Sequence, residues 1–242
     1  HKLRFSPAVV NAQACKYWLN QVFDFKADGS ARLSAMRQDN TTFLRRSMGH
    51  NRQEGLRLLQ KGLGLLADQE YLLATNSLQN AIRLLPNTRR FNRKNSLTLF
   101  RAHLYTAQAE MALGNPIKAS QHLTEAIGKG MDHKTRKTEW KRNLMQAYLL
   151  RSEAYLSMDM PLRALEDANW INAHIEEAEK APLLVIMSRI YHKLGDFEQA
   201  LAYAAYSVEL KPEFAPAYIQ KAELLLDLGA QEAACETIQQ AR

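Results

Sequence analysis

The sequence predicts an all-α fold in which pairs of helices stack into a solenoid. The frame Leu194-Gly195-Asp196-Phe197-Glu198-Gln199-Ala200 returns 34 residues later as Leu228-Gly229-Ala230-Gln231-Glu232-Ala233-Ala234. A fixed period of this length is the signature of repeat architectures built from one supersecondary unit. The chain also has only ten Gly and seven Pro in 242 residues, and these fall mainly at the predicted turns. Both observations indicate stacked helix–turn–helix units.

Five such units follow one another along the chain, each with a small residue early in its second helix. The recurring residues are Ala74, Ala119, Ala164, Ala200 and Ala234. A small side chain at this position lets two helices approach closely. Successive members are 45, 45, 36 and 34 residues apart, so the first two intervals hold insertions or lengthened helices.

This pattern resembles the tetratricopeptide repeat family over about residues 55–242, and most closely over 181–214 and 215–242. The small residue expected in the first helix appears as Gly62, Ala107, Ser152, Ser188 and Ala222. The family's large aromatic residue is replaced by Leu58, His103, Tyr148, Leu184 and Tyr218. The resemblance implies a right-handed α-solenoid of about five helix pairs, whose first helices line a concave face that binds a protein partner.

The first 54 residues lack the repeat and are predicted to form an N-terminal helical cap on the solenoid of residues 55–242. Apolar residues from Ala8 to Phe25 follow the spacing of an amphipathic helix, which Asp28-Gly29-Ser30 ends. A cap is expected because the terminal repeat of a solenoid has an open face. A dimerisation or partner-docking element is the alternative.

The resemblance also indicates which residues line the concave groove. The predicted partner-binding residues are Leu59, Leu63, Arg101, Leu104, Gln108, Leu149, Glu153, Arg189 and His192. An apolar trough with a few charges suits an amphipathic helix or an extended peptide. Leu at 59, 63, 104 and 149 argues against the cluster of Lys, Asn and Arg with which some family members hold a terminal carboxylate. In the first repeat, the protein's own N-terminal helix is an equally good occupant.

Positive charge is concentrated in two segments between repeats, in a chain of net charge +7. These segments are predicted to form a basic edge of Arg89, Arg90, Arg93, Lys94, Lys134, Arg136 and Lys137. Clustered cations attract acidic protein, anionic lipid or nucleic acid. A regulatory or sensory module that binds such an anionic ligand is therefore the alternative function. A solvated face is the plainer interpretation of the charge, since few stacking aromatics are interleaved.

No catalytic pattern emerges from the sequence, so a non-enzymatic scaffold without a cofactor is expected. No two His have the i, i+4 spacing of a helical zinc site, and Gly62-Leu63-Gly64 lacks the rest of a phosphate loop. No apolar run reaches the ~18 residues of a membrane span. The sequence indicates no cellular compartment. A protein or peptide partner within a larger protein or assembly is the leading expectation.

The last predicted helix leaves apolar residues at the end of the stack. Leu224, Leu225, Ile238 and Ala241 are expected to pack on something further along. Because solenoids need a polar terminal cap to remain soluble, we expect the natural protein to continue beyond Arg242, or a second copy or a partner to cover this end.

Overall fold

The computed structural model describes residues 9–10, 13–14, 36–85, 92–131 and 138–240, with side chains over 51–85, 96–130 and 141–240. The α-helices of these residues are α1 (Met36–Ala67), α2 (Tyr71–Leu84), α3 (Asn92–Ala112), α4 (Pro116–Met131), α5 (Thr138–Ser157), α6 (Pro161–Asn172), α7 (Ala181–Lys193), α8 (Phe197–Leu210), α9 (Ala215–Asp227) and α10 (Gln231–Gln240). A short 3₁₀ helix at Glu177–Glu179 precedes α7, and two short strands lie near the N-terminus.

The helices form five pairs, and each helix packs on the next one along the chain. Successive first helices (α1, α3, α5, α7 and α9) also contact one another. Extensive contacts between successive second helices are absent from the described residues. First helices therefore lie on the tighter, inner side of the stack and second helices on its outer side. The predicted all-α solenoid of five helix pairs is confirmed.

The recurring Ala is the fourth residue of every second helix and lies in the core. Ala74, Ala119, Ala164 and Ala200 are 0% exposed and Ala234 is 3% exposed. The small residue of the first helix lies against it in three repeats. Ser152 and Ser188 donate hydroxyl hydrogen bonds to the carbonyls of Ala164 and Ala200, at 3.2 and 2.8 Å. A Cβ added to Gly62 would lie 2.6 Å from Cγ of Leu78. Close helix approach therefore explains why these positions hold small residues.

A residue with left-handed backbone ends the first helix of every pair. The φ angles are 60° at Gln69, 73° at Gly114, 57° at Asp159, 82° at Gly195 and 79° at Gly229. In the fourth pair, the amide of Gly195 donates to the carbonyl of His192 and that of Asp196 to the carbonyl of Tyr191; the other four turns repeat this pattern. Such paired bonds satisfy carbonyls that the helix end would leave free.

Lengthened first helices account for the longer intervals between the early repeats. The helices α3 and α5 have 21 and 20 residues, whereas α7 and α9 have 13 each. The extra residues of α3 and α5 lie at their N-terminal ends, next to the segments 86–91 and 132–137 that lie outside the described residues.

The N-terminal region differs from the sequence prediction where the structure describes it. Val9–Val10 pairs antiparallel with Gln13–Ala14, so the amphipathic helix predicted from Ala8 to Phe25 is wrong at these residues. Val is β-branched and fits a pleated strand better than a helix. The rest of that stretch lies outside the described residues. The helix α1 is continuous across the predicted boundary at residues 54 and 55. The two-domain division and the capping role stay predictions.

The main apolar core runs through α3 to α7, and a smaller apolar cluster lies towards each end of the stack. Leu224 is fully buried with Ala200 and Ala204, so it belongs to the core and does not face the end of the stack. Ile238 is 46% exposed. In the described part of the chain, no helix has the combination of length and apolarity that crossing a membrane requires.

A partly buried ion pair joins the two helices of the third repeat, and a hydrogen bond from the same arginine reaches the second repeat. Arg151 of α5 donates from Nε and Nη2 to the two carboxylate oxygens of Asp167 in α6, at 2.8 and 2.6 Å. Its Nη1 donates to Oγ1 of Thr124 in α4 at 3.1 Å. The guanidinium also lies over the ring of Tyr148, 5.3 Å from its centroid. This side chain therefore holds three helices together.

Candidate functional site: the concave groove

The structure divides the predicted groove residues between the core and the accessible inner face. Leu59 and Leu104 are only 7% and 2% exposed, and they pack in the core clusters between helices. Their side chains therefore contribute to stacking and offer little surface to a partner. The remaining predicted residues are partly exposed: Leu63, Arg101, Gln108, Leu149, Glu153, Arg189 and His192.

A cavity of about 300 Å³ lies on the inner face between three successive first helices, and we call it the concave pocket. Its lining residues are Leu156 and Ser157 of α5, Arg189, His192 and Lys193 of α7, and Gln220 and Glu223 of α9. The pocket thus brings together Arg189 and His192 of the predicted set. It is built by residues that are far apart in sequence and adjacent only because the repeats stack.

Charges of both signs surround the concave pocket and pair across repeats. His192 Nε2 lies 2.8 Å from Oδ2 of Asp227, and Lys193 Nζ lies 3.2 Å from Oδ1 of Asp159. Burial raises the pKa of Glu153, while the nearby positive charge of Arg189 opposes this increase. The inner face over α5, α7 and α9 is therefore polar and of mixed charge, whereas the apolar trough was predicted mainly from leucines of α1 and α3.

Gln220 is the functional candidate that sequence reasoning missed. Its side chain is 3% exposed, and its Nε2 has no hydrogen-bond partner within the described part of the chain. Leaving a buried donor unsatisfied costs about 1–3 kcal/mol. The equivalent residues of the four preceding repeats are Gln60, Tyr105, Leu150 and Ile186, so the available signal was a polar residue where the two preceding repeats hold apolar ones. Because this nitrogen is itself buried, a ligand oxygen in the pocket would reach it only if the amide of Gln220 turned towards the pocket.

The predicted basic edge falls largely outside the described residues. This applies to Arg89, Arg90, Lys134, Arg136 and Lys137. The other two members, Arg93 and Lys94, lie in the first turn of α3, and their side chains are not described. Their proximity in space and the binding of an anionic ligand stay predictions.

Titratable clusters elsewhere are small. Across the described residues, no three His, Cys, Asp or Glu side chains are grouped so that they could hold a metal ion. Two His do meet between α3 and α4, where the Nδ1 atoms of His103 and His122 are 3.1 Å apart. Burial, together with the neighbouring His122 and Lys129, lowers the pKa of His103 to about 4.

Comparison with known proteins matches the fourth helix pair to a family model. Residues 181–214 match the model of the tetratricopeptide repeat, the unit formed here by α7 and α8. A comparison with curated protein sequences finds no match.

Solved structures with the same fold cover most of the chain. The MamA protein is 14% identical, with a TM-score of 0.54 over 78% of this chain and 90% of its own. TTC0263, a tetratricopeptide repeat protein of Thermus thermophilus, is 19% identical, with a TM-score of 0.55 over 77% and 89%. YrrB, described as a tetratricopeptide repeat protein with an unusual peptide-binding site, is 14% identical, with a TM-score of 0.52 over 81% and 89%. The match at 181–214 identifies α7 and α8 as a tetratricopeptide repeat unit, and the solved structures show that the chain shares the helical fold of such proteins.

Proposed function

We propose that this protein is a non-enzymatic interaction scaffold that binds a segment of a protein partner along the inner face of α5, α7 and α9. The observation that carries this proposal is the unpaired amide of Gln220 beside the concave pocket. An unsatisfied buried donor does not stabilise the fold, and the two preceding repeats hold apolar residues at the equivalent position. A ligand that provides an acceptor explains why the donor is present.

The chemistry of the inner face favours an extended peptide over an amphipathic helix. An amphipathic helix needs a matching apolar groove, and Leu59 and Leu104 are buried in the core. An extended peptide has backbone carbonyls along its whole length, and one of these would accept a hydrogen bond from Nε2 of Gln220. The pocket volume of about 300 Å³ is at the small end of ligand sites. It therefore suits one inserted side chain of a longer segment.

The mixed charge of the face also constrains the segment. Arg189 faces Glu153, and His192 is paired with Asp227. A ligand side chain of either sign must compete with an existing partner, so ion pairing gives selectivity more than affinity. The segment is therefore expected to bind chiefly through backbone hydrogen bonds and one buried side chain.

Site-specific photo-cross-linking tests the location of the partner. A benzophenone amino acid is introduced at Glu223, which lines the concave pocket, and separately at Glu209, an exposed residue of the outer helix α8. In cells that contain the protein naturally, we expect one defined protein adduct from position 223 and none of that identity from position 209. The adduct should disappear when Gln220→Leu is added. Adducts of the same identity from both positions, or from position 209 alone, would place the partner elsewhere.

A further inference from the structure

One large aliphatic side chain is exposed at the same place in each of the first three repeats. Leu72, Ile117 and Leu162 are each the second residue of their second helix, and they are 65%, 63% and 66% exposed. Equivalent positions of stacked repeats align along one side of a solenoid. These three side chains therefore form a row, which we call the exposed ladder.

The fold itself does not require apolar residues in the exposed ladder. The equivalent residues of the last two repeats are Glu198 and Glu232, and both are exposed. A single exposed aliphatic residue is ordinary on a protein surface. Three in register, where other repeats of the same chain carry a carboxylate, indicate a surface that another molecule covers.

A wide groove adjoins the middle of the exposed ladder. It lies between α4 and the end of α5 with the start of α6, and Ile117 lines it together with Tyr155, Met158 and Met160. We call it the outer groove. Its volume of about 1220 Å³ exceeds the roughly 300–1,000 Å³ of small-molecule sites. The groove therefore has the size for a protein segment.

Positive charge lies directly beside the apolar residues. Lys118 and Arg163 follow Ile117 and Leu162 in the sequence, and both line the outer groove. Within the described part of the chain neither forms an ion pair, although Arg163 lies over the ring of Tyr155 at 5.9 Å. Glu125 is the acidic residue of the lining. A partner that places carboxylates beside an apolar stripe is therefore complementary in charge.

We propose that the exposed ladder and the outer groove form a second docking surface, separate from the concave pocket, for an acidic amphipathic helix of a protein partner. The ladder residues lie on second helices, and successive second helices make no extensive contacts in the described residues, so their spacing exceeds the roughly 8–10 Å of helices that pack directly. An α-helix rises about 1.5 Å per residue, so a helix lying along the ladder reaches successive repeats at intervals of more than about five to seven residues.

Two synthetic peptides test this surface. Both are helix-stapled, fluorescein-labelled and about 21 residues long, with Leu at the a and d positions of three heptads. The remaining positions carry mainly Glu in one peptide and mainly Lys in the other. By fluorescence anisotropy, we expect the Glu peptide to bind about tenfold more tightly than the Lys peptide, a difference of about 1.4 kcal/mol.

Variants of the intact chain connect this preference to the surface. Ile117→Ser with Leu162→Ser should weaken the Glu peptide at least about tenfold, and Lys118→Glu with Arg163→Glu should reverse the preference. The matched control is Ile219→Ser, which changes an aliphatic side chain that is 50% exposed on α9. It should leave binding unchanged. All the substituted side chains are exposed, and the folding of each variant is checked by circular dichroism and melting temperature.

Three results would overturn the proposal. The first is equal affinity for the two peptides, or undiminished binding by the Ile117→Ser and Leu162→Ser variant. The second is a dimer in sedimentation velocity that this variant abolishes, which would make a second copy of the chain the occupant. The third is binding to vesicles of phosphatidylserine and phosphatidylcholine that the same variant abolishes, which would assign the surface to a membrane.

Discussion

The left-handed residues that end the first helices allow a test with predicted effects of opposite sign. At Gly195 the φ is 82°, and a Cβ added there would have no atom within 4 Å. Gly195→Ala therefore introduces left-handed strain of roughly 1–2 kcal/mol. The same substitution also stabilises the protein by about 0.4–1 kcal/mol, because Ala leaves the unfolded chain less conformational freedom than Gly does. The expected net loss in the free energy of unfolding is about 1 kcal/mol.

The converse change is available at Gln69, where φ is 60° without glycine. Gln69→Gly removes the same strain and increases the freedom of the unfolded chain, so a gain of up to about 1 kcal/mol is expected. Asp159 gives a weaker response, because Asp159→Gly also removes the exposed ion pair with Lys193. Such pairs are worth about 0–1 kcal/mol.

The matched control is Gly128→Ala in the last turn of α4, where a Cβ would likewise have no atom within 4 Å and φ is not positive. There the same substitution should stabilise by about 0.5–1 kcal/mol, since Ala is the better helix former. Urea unfolding followed by circular dichroism gives all four free energies. If Gly195→Ala and Gly128→Ala change stability in the same direction, the assignment of the helix ends is wrong.

Other substitutions test the packing at Ala200, the partly buried ion pair and the titration of His103. Ala200→Leu should lower the free energy of unfolding by about 1–3 kcal/mol through overpacking, and an unchanged melting temperature would contradict the close helix contact. Asp167→Asn should cost about 1–3 kcal/mol in urea unfolding because the partly buried Arg151 loses its counter-charge. A loss below about 1 kcal/mol, typical of exposed pairs, would contradict this. Since the pKa of His103 is lowered to about 4, the unfolded chain takes up a proton below about pH 6.5 and the folded chain does not. Stability is therefore complete above that pH and falls by on the order of 3 kcal/mol towards pH 4. His103→Gln should flatten this part of the profile, and an equally steep profile in the variant would assign the dependence to other groups.

The repeat frame could be predicted because each of its requirements is visible in the residue type. A close helix contact selects Ala, as at Ala200, and a left-handed helix end favours Gly, as at Gly195. The same conformation at Gln69 and Asp159 gave no such signal, because neither position holds a glycine.

The groove was harder to predict than the fold. Leu59 and Leu104 were assigned to the inner face, but whether a residue points inward or between repeats depends on how neighbouring helices are rotated. The environment of Gln220 is made by α5, α7 and α9 together, so no local pattern identifies its unpaired amide. The predicted helix near the N-terminus was wrong at Val9–Val10 because a short apolar run fits both periods.

The proposed partner site is tested most directly by Gln220→Leu, a change that should affect folding and binding in opposite directions. Urea unfolding should show stability unchanged or raised by about 1–3 kcal/mol, because an unsatisfied buried donor is removed. Calorimetric titration with a synthetic peptide of the segment cross-linked at position 223 should show at least about tenfold weaker binding. Full affinity in this variant would contradict the account, and so would a loss of stability that by itself explains weaker binding.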